Sequence, residues 1–140
     1  MTLLIKNAII VNADKKHSKP QDILLEKGKI SKIAASIPVG NHKVVDTAGK
    51  LVFPGLIDLH VHLRQPGRED KETVETGTRS AAKGGFTSIF CMPNTTPVVD
   101  NAMVVEAIIN EARRVGLVNV YPVGAITRGQ MGKELTDMAE

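Results

Sequence analysis

The pattern of apolar segments changes at Pro54-Gly55, and this change most constrains what the chain can fold into. Before it, short apolar runs are separated by turn residues at close spacing, a pattern that predicts a small all-β unit. After it, apolar runs alternate with longer helix-like segments. Strands that alternate with helices predict βαβ units and a parallel sheet. We therefore expect two parts with different architecture, residues 1–53 and residues 54–140.

The first part contains one clear hairpin signal. Segments 22–26 and 29–34 flank Lys27-Gly28, and Gly28 can take the positive φ that a tight hairpin turn needs. Segments 43–46 and 50–53 flank a second turn at residues 47–49. Short strands with turns at this spacing are typical of a β-sheet domain.

The second part predicts three strands and at least two helices. The strands are expected at 56–63, 86–92 and 117–123, the helices at 69–83 and 101–115, and a further helix over 133–140. Strands as apolar as these predict a sheet that is buried on both faces. A (β/α)8 barrel needs roughly 250 residues, so 140 residues would hold only its first units. We expect the N-terminal portion of a larger, truncated architecture.

Composition excludes several classes of protein. The net charge is only +3 and aromatic residues make up 3% of the chain, which argues against a nucleic-acid-binding surface. Cys91 is the single cysteine, so no disulfide framework is expected. No apolar stretch is long enough to span a bilayer, and the N-terminus is not typical of a signal peptide. These features predict a cytoplasmic protein with no membrane partner.

His60 and His62 lie two residues apart in the first strand of the second part. Side chains two apart on a strand point to the same side, so the two imidazoles should converge, with Asp58 preceding them on that side. Neutral imidazole is a common ligand of zinc. The pair therefore predicts half of a metal centre, and the alternative is two strand histidines satisfied by hydrogen bonds in the core. Asp58 is better interpreted as a supporting carboxylate than as a ligand.

Several segments together resemble a known family. Residues 54–62 resemble the opening strand of the amidohydrolase superfamily. Further segments resemble, more specifically, the dihydroorotases of the single-polypeptide bacterial type. These segments are residues 63–67, 71–78, 84–87 and 91–95, the last of which ends in Met92-Pro93-Asn94-Thr95. The resemblance extends over essentially all 140 residues and is strongest between residues 54 and 100.

The resemblance implies a fold, an activity and a site. Residues 1–53 would be the N-terminal part of a small β-sandwich domain, and residues 54–140 the N-terminal part of a (β/α)8 hydrolase barrel. The enzyme would use one or two zinc ions to interconvert N-carbamoyl-L-aspartate and dihydroorotate in de novo pyrimidine (UMP) biosynthesis. His60 and His62 would bind the metal. Arg64 and Asn94 would bind the substrate carboxylate, for which a guanidinium offers a planar, bidentate match.

Other required groups are expected to come from later strands of the family's barrel. These are the remaining metal ligands and the aspartate that acts as general acid/base, so we assign no catalytic residue within this segment and expect the chain alone to bind zinc weakly and to be inactive. One alternative is an allantoinase or hydantoinase. The other is a non-catalytic dihydroorotase-like subunit that partners aspartate transcarbamoylase, and the resemblance also admits a homodimer. Inactive homologues tend to lack the ligand histidines, whereas this chain keeps both.

Overall fold

The structure, a computed structural model, describes residues 2–12 and 19–139. It forms two compact units, Met1–Pro54 and Gly55–Glu140, and each is described by itself below. The division lies one residue beyond the position at which the sequence pattern changes. The assignment of the two units to a β-sandwich and a barrel domain remains a prediction at this stage.

Unit 1 is a five-stranded sheet built around one long central strand. The strands are β1 (Thr2–Ile10), β2 (Gln21–Glu26), β3 (Lys29–Ala34), β4 (Lys43–Asp46) and β5 (Leu51–Val52). β2 and β3 form the expected hairpin, with positive φ at both Lys27 and Gly28, as a two-residue type I′ turn requires. β4 and β5 do not pair with each other as a hairpin, because each lies parallel to a different half of β1.

A buried carboxylate stabilises the middle of β1. The β1–β2 register shifts between Ile5 and Ala8, so backbone groups there leave the regular ladder. Asp22, 2% exposed, accepts hydrogen bonds from the Asn7 and Ile37 amides at 3.0 and 2.9 Å, and from Lys6 Nζ at 2.9 Å. Burial raises the pKa of Asp22, but these bonds outweigh burial and hold the pKa below its usual value. The charged carboxylate is therefore the form that this fold stabilises.

Unit 2 has the predicted βαβαβ order with a parallel sheet. Its elements are β6 (Leu56–Val61), α1 (Val74–Lys83), β7 (Phe86–Cys91), α2 (Ala102–Val115) and β8 (Asn119–Pro122). The strand order is β6-β7-β8, and both pairs of strands are parallel. Among the described residues, no helix combines the length and the apolar character needed to cross a membrane.

The helices cover one face of this sheet. Val74 from α1 and Ile108 from α2 pack in one core with Ile89 and Cys91 of β7. The other face stays accessible in the described residues, where Leu59 is 68% exposed. The expectation of burial on both faces is therefore wrong for this chain as described, because every helix in it lies on the same side.

One predicted helix boundary and one predicted helix are also wrong. α1 begins at Val74, not at residue 69, because Thr73 is its N-cap and exchanges capping-box hydrogen bonds with Thr76. Such a cap satisfies backbone donors of the first turn and so fixes where the helix starts. Residues 133–139 contain no helix, and Thr127 forms a bridge with Leu135 instead. The Thr136 amide donates to the Ile126 carbonyl oxygen at 2.9 Å and closes the same loop.

The pairing of β6 with β7 is irregular at two places. Between Leu56 and Ile57, β7 advances two residues while β6 advances one. Between Asp58 and Val61, β6 advances three residues while β7 advances two. The second irregularity is a β-bulge, in which one strand carries an extra residue that lies outside the ladder. His60 lies within this bulged stretch, and His62 follows it directly.

Candidate metal and substrate site

The structure brings the two predicted ligands together at the carboxyl end of β6. His60 lies in the strand and His62 follows it directly. Val61 and Leu63 pack against the helix-side core, whereas His60 and His62 do not belong to it. The two ring centroids are 5.3 Å apart and the ring planes meet at 66°. Both side chains are exposed, which is inconsistent with histidines satisfied inside a core.

Asp58 supports the backbone of this strand. Its Oδ1 accepts a hydrogen bond from the His60 amide at 3.0 Å. The β-bulge between Asp58 and Val61 withdraws backbone groups from the ladder, and an unpaired amide is costly unless another acceptor satisfies it. The Asp58 carboxylate supplies that acceptor. The strict alternation on which the sequence argument placed Asp58 beside both histidines does not hold across a bulge.

Asn94 lies against His62. Its Oδ1 is 2.8 Å from His62 Nδ1, although 32 residues separate the two side chains. Parallel strands explain the meeting, since the Met92 amide, just past the end of β7, donates to the carbonyl oxygen of Val61, the last residue of β6, at 2.9 Å. Residues that follow neighbouring parallel strands come out at the same edge of the sheet. Sequence reasoning placed Asn94 at this edge but missed its contact with the histidine.

The loops after β6 and β7 are joined by their backbones. The Thr96 amide donates to the Pro66 carbonyl oxygen at 3.0 Å. Gly67 has a φ of 97°, and a Cβ at this position would lie 2.1 Å from the Thr96 carbonyl oxygen. Only glycine fits such a close approach at a positive φ. This contact ties the loop that carries Arg64 to the loop that carries Asn94.

Arg64 lies in the first of these loops with a positive φ of 60°. Its carbonyl oxygen accepts a hydrogen bond from the Arg68 amide at 2.9 Å. Within residues 2–12 and 19–139, the Arg64 guanidinium forms no ion pair. A non-glycine residue in this backbone region is uncommon and often marks a functional position.

Gln65 is a supporting residue that the sequence argument missed. Its Oε1 accepts a hydrogen bond from the Val74 amide at 2.9 Å, and its Nε2 lies 3.4 Å from Glu111 Oε1. The first contact satisfies one of the free amides at the start of α1. Because Gln65 stands nine residues before its partner, no local capping pattern could have indicated the bond. It fixes the loop between Arg64 and the helix.

The residues present fit one side of a metal site. His60 and His62 supply two imidazoles, and the contact of His62 Nδ1 with Asn94 leaves the Nε2 of His62 directed away from that bond. In the part of the chain that the structure describes, no group of three or more His, Cys, Asp or Glu side chains is arranged to hold a metal ion. Zinc sites normally use three or four protein ligands. Two imidazoles are thus compatible with a metal centre but do not complete one.

Cys91 is not a candidate ligand. The side chain is buried in the helix-side core, and burial raises the pKa of its thiol to about 11. A metal ligand or nucleophile needs an accessible thiolate. Cys91 is therefore a core cysteine that packs against apolar neighbours.

A wide concavity lies elsewhere in unit 2. It measures about 940 Å³ and is bordered by α2 and β8, including Ile109, Ala112, Val118 and Tyr121. None of the four predicted site residues lines it. His62 and Asp58 instead border a smaller concavity of about 350 Å³.

Known proteins resemble this chain over nearly all of its length. A family model described as Dihydro-orotase-like matches residues 49–140. The chain is 53% identical over 138 residues to the dihydroorotase of Acetivibrio thermocellus, covering 99% of this chain and 32% of that protein. It is 50% identical over 140 residues to the dihydroorotase of Pelotomaculum thermopropionicum, covering all of this chain and 33% of that protein. The chain thus spans about a third of the length of these curated relatives.

A solved structure shows the same fold. L-hydantoinase (dihydropyrimidinase) from Arthrobacter aurescens matches with a TM-score of 0.82 and 29% sequence identity, over 89% of this chain and 28% of that protein. The predicted fold class, the first strands and helices of an amidohydrolase barrel preceded by a small β-sheet segment, is confirmed by this likeness. The roles of His60, His62, Arg64 and Asn94 are tested by none of these comparisons and remain predictions.

Proposed function

The chain belongs to the dihydro-orotase-like family, and we propose that it forms part of a cytoplasmic, zinc-dependent dihydroorotase of pyrimidine biosynthesis. In this proposal the protein interconverts N-carbamoyl-L-aspartate and dihydroorotate. Relatives called dihydroorotases, at 53% and 50% identity, support the substrate. The observation that carries the site is the pair of imidazoles 5.3 Å apart at the same sheet edge as Asn94.

His60 and His62 would hold one side of the zinc ion. The exposed rings lie close enough to converge on a common point, and neutral imidazole suits zinc. The bound ion would supply Lewis-acid polarisation of the amide carbonyl. Further ligands and the group that moves the proton would lie outside the described residues, because those residues contain no third ligand near the pair.

Arg64 and Asn94 would orient the substrate carboxylate. The Arg64 guanidinium makes no ion pair in the described residues, so its five donors stay available for a bidentate bond to a carboxylate. Asn94 uses its oxygen on His62, and the two hydrogens of its Nδ2 remain for the substrate. Both residues lie in loops whose backbones are joined at Pro66 and Thr96, which would hold the two donors in a fixed relation.

A second candidate is a hydantoinase or allantoinase. The TM-score of 0.82 to L-hydantoinase favours it, and all these enzymes open a cyclic amide. Hydantoin and allantoin lack the ring carboxylate of dihydroorotate. Since Arg64 offers an unpaired cation beside the site, the carboxylated substrate is the better match. Sequence identity is also higher to the dihydroorotases than to this hydantoinase.

Kinetics on the full-length protein that contains these residues would test the proposal. We expect zinc-dependent turnover of dihydroorotate well above that of hydantoin and allantoin. Changing both His60 and His62 to alanine should abolish zinc binding. The Arg64→Lys variant should raise KM for dihydroorotate by about tenfold, because an ammonium cannot make the bidentate bond, whereas the control Arg113→Lys on exposed α2 should not.

Three results would count against the proposal. Preferred turnover of hydantoin or allantoin would favour the second candidate. Unchanged zinc content after loss of both histidines would remove the metal assignment. Absence of turnover in a zinc-loaded protein that binds aspartate transcarbamoylase would favour the non-catalytic subunit.

A further inference from the structure

The contact between Asn94 and His62 decides which nitrogen of the histidine can act as a ligand. A neutral imidazole carries its proton on one nitrogen and a lone pair on the other. Asn94 Oδ1, a hydrogen-bond acceptor, lies 2.8 Å from His62 Nδ1. An acceptor at that distance stabilises the proton on Nδ1 and leaves the lone pair on Nε2.

We propose that Asn94 is a positioning residue that keeps His62 in the Nδ1–H tautomer and so presents Nε2 as the metal ligand. The inference rests on the metal role that the proposed function gives to His62. It adds a second task to Asn94, which the resemblance connected only with the substrate. Groups that orient metal-binding histidines through the other ring nitrogen commonly tune metal affinity.

The position of Asn94 is fixed by its own loop. The neighbouring Thr95 is 8% exposed, and its Oγ1 donates to the Pro97 carbonyl oxygen at 2.7 Å. The Val99 amide donates to the Pro93 carbonyl oxygen at 3.1 Å, and Val99 is fully buried. These bonds hold the backbone on both sides of Asn94, so the side-chain amide meets the histidine as part of a rigid turn.

His60 differs from His62 in the contacts of its ring. In the described residues its backbone amide is bonded to Asp58, but its ring has only the edge contact with His62 and no side-chain hydrogen bond. Asn94 therefore acts on one of the two imidazoles. Loss of the amide should change the tautomer of His62 and leave that of His60 as it was.

The orientation of the Asn94 amide separates this inference from its alternative. If Nδ2 faced the ring, it would donate to Nδ1 and force the proton onto Nε2, which would then have no lone pair for a metal. Aspartate at position 94 keeps an acceptor and has no donor. Alanine at position 94 removes the acceptor and the donor, so comparing the aspartate and alanine variants tests the role of the acceptor oxygen.

Nitrogen NMR of the metal-free full-length protein would test the inference directly. With ¹⁵N-labelled histidine at about pH 8.5, well above the ordinary histidine pKa, two-bond ¹⁵N–¹H correlations report the tautomer, and His62→Gln assigns the signals. We expect Nδ1–H at His62 in the wild type and in Asn94→Asp. Asn94→Ala should lose that preference, and the exposed control Asn110→Ala should keep it. Zinc affinity should fall by about 10–100-fold in Asn94→Ala.

An Nε2–H signal for His62 in the wild type, or an unchanged tautomer in Asn94→Ala, would overturn the inference. The wild-type spectrum decides by itself should the alanine variant fold poorly. This outcome is separable from the proposed function. A protein without dihydroorotate turnover that still shows the Asn94-dependent Nδ1–H tautomer would refute the substrate and retain the positioning role.

Discussion

Replacing Gly67 with alanine would test how the two site loops are held together. A Cβ at this position would lie 2.1 Å from the Thr96 carbonyl oxygen and 2.6 Å from Thr96 Cβ. Ordinary contacts between such atoms are longer than 3 Å, so one loop must move by an ångström or more. The movement would stretch the bond between the Thr96 amide and the Pro66 carbonyl oxygen, and Asn94 and Arg64 would separate.

The cost has three parts. A positive φ costs a non-glycine residue about 1–2 kcal/mol, relief of the overlap costs about 1–3 kcal/mol, and a weakened backbone hydrogen bond costs about 1 kcal/mol. We expect Gly67→Ala to lower the free energy of unfolding by about 3–6 kcal/mol. Gly85 is a matched control, because its φ is 85° and a Cβ there meets nothing within 4 Å. Gly85→Ala should cost only the backbone part, about 1–2 kcal/mol.

Urea unfolding of both variants in the full-length protein gives the two free energies. Where the protein turns over dihydroorotate, Gly67→Ala should also raise KM more than Gly85→Ala does. The close approach of the loops would be refuted if the two variants had equal unfolding free energies. Equal here means within about 0.5 kcal/mol, a typical error when such values are compared. A destabilised Gly67→Ala with unchanged KM would refute the link between this contact and the site.

Two further predictions concern buried groups. Because hydrogen bonds hold the pKa of Asp22 below the ordinary value of an aspartate, its carboxylate stabilises unit 1 at pH values above that ordinary pKa. Urea unfolding monitored in unit 1 should show this contribution being lost as the pH falls through the lowered pKa. Asp22→Asn should lower the free energy of unfolding by about 2–4 kcal/mol at neutral pH and make its fall at acid pH less steep. An equally steep fall in the variant would contradict the lowered pKa of Asp22. Cys91, with a thiol pKa of about 11, should react with a disulfide reagent at pH 8 far more slowly than free cysteine until the protein unfolds, and a rate within tenfold of the free thiol would show that the side chain is accessible.

Local patterns predicted much of the fold. Alternation of apolar and helix-like segments indicated the parallel βαβαβ unit, and Lys27-Gly28 indicated the hairpin that the structure contains. Each of these features depends on residues that are close in the sequence, so propensity and periodicity carry enough information to predict it.

Other features depend on contacts that no local pattern encodes. The start of α1 was predicted five residues too early, because the capping box at Thr73 competes with the helix propensity of the residues before it. The convergence of His60 and His62 followed from strand geometry, but the approach of Asn94 to His62 needs the register of two strands. The β-bulge at Asp58 was missed for the same reason. A regular alternation is the natural expectation for an apolar strand, and only pairing with a neighbour shows where it fails.

The two irregularities between β6 and β7 have opposite signs, and they cancel. From the Leu56–Phe86 pair to the Val61–Cys91 pair, both strands advance by five residues. Between these two pairs the register of β6 against β7 is shifted by one residue, while the pairs at both ends stay in the same register. Changes in side-chain size at positions 57–59 can therefore be absorbed locally. The direction in which the chain leaves the sheet toward His62 therefore does not depend on the size of the side chains at positions 57–59.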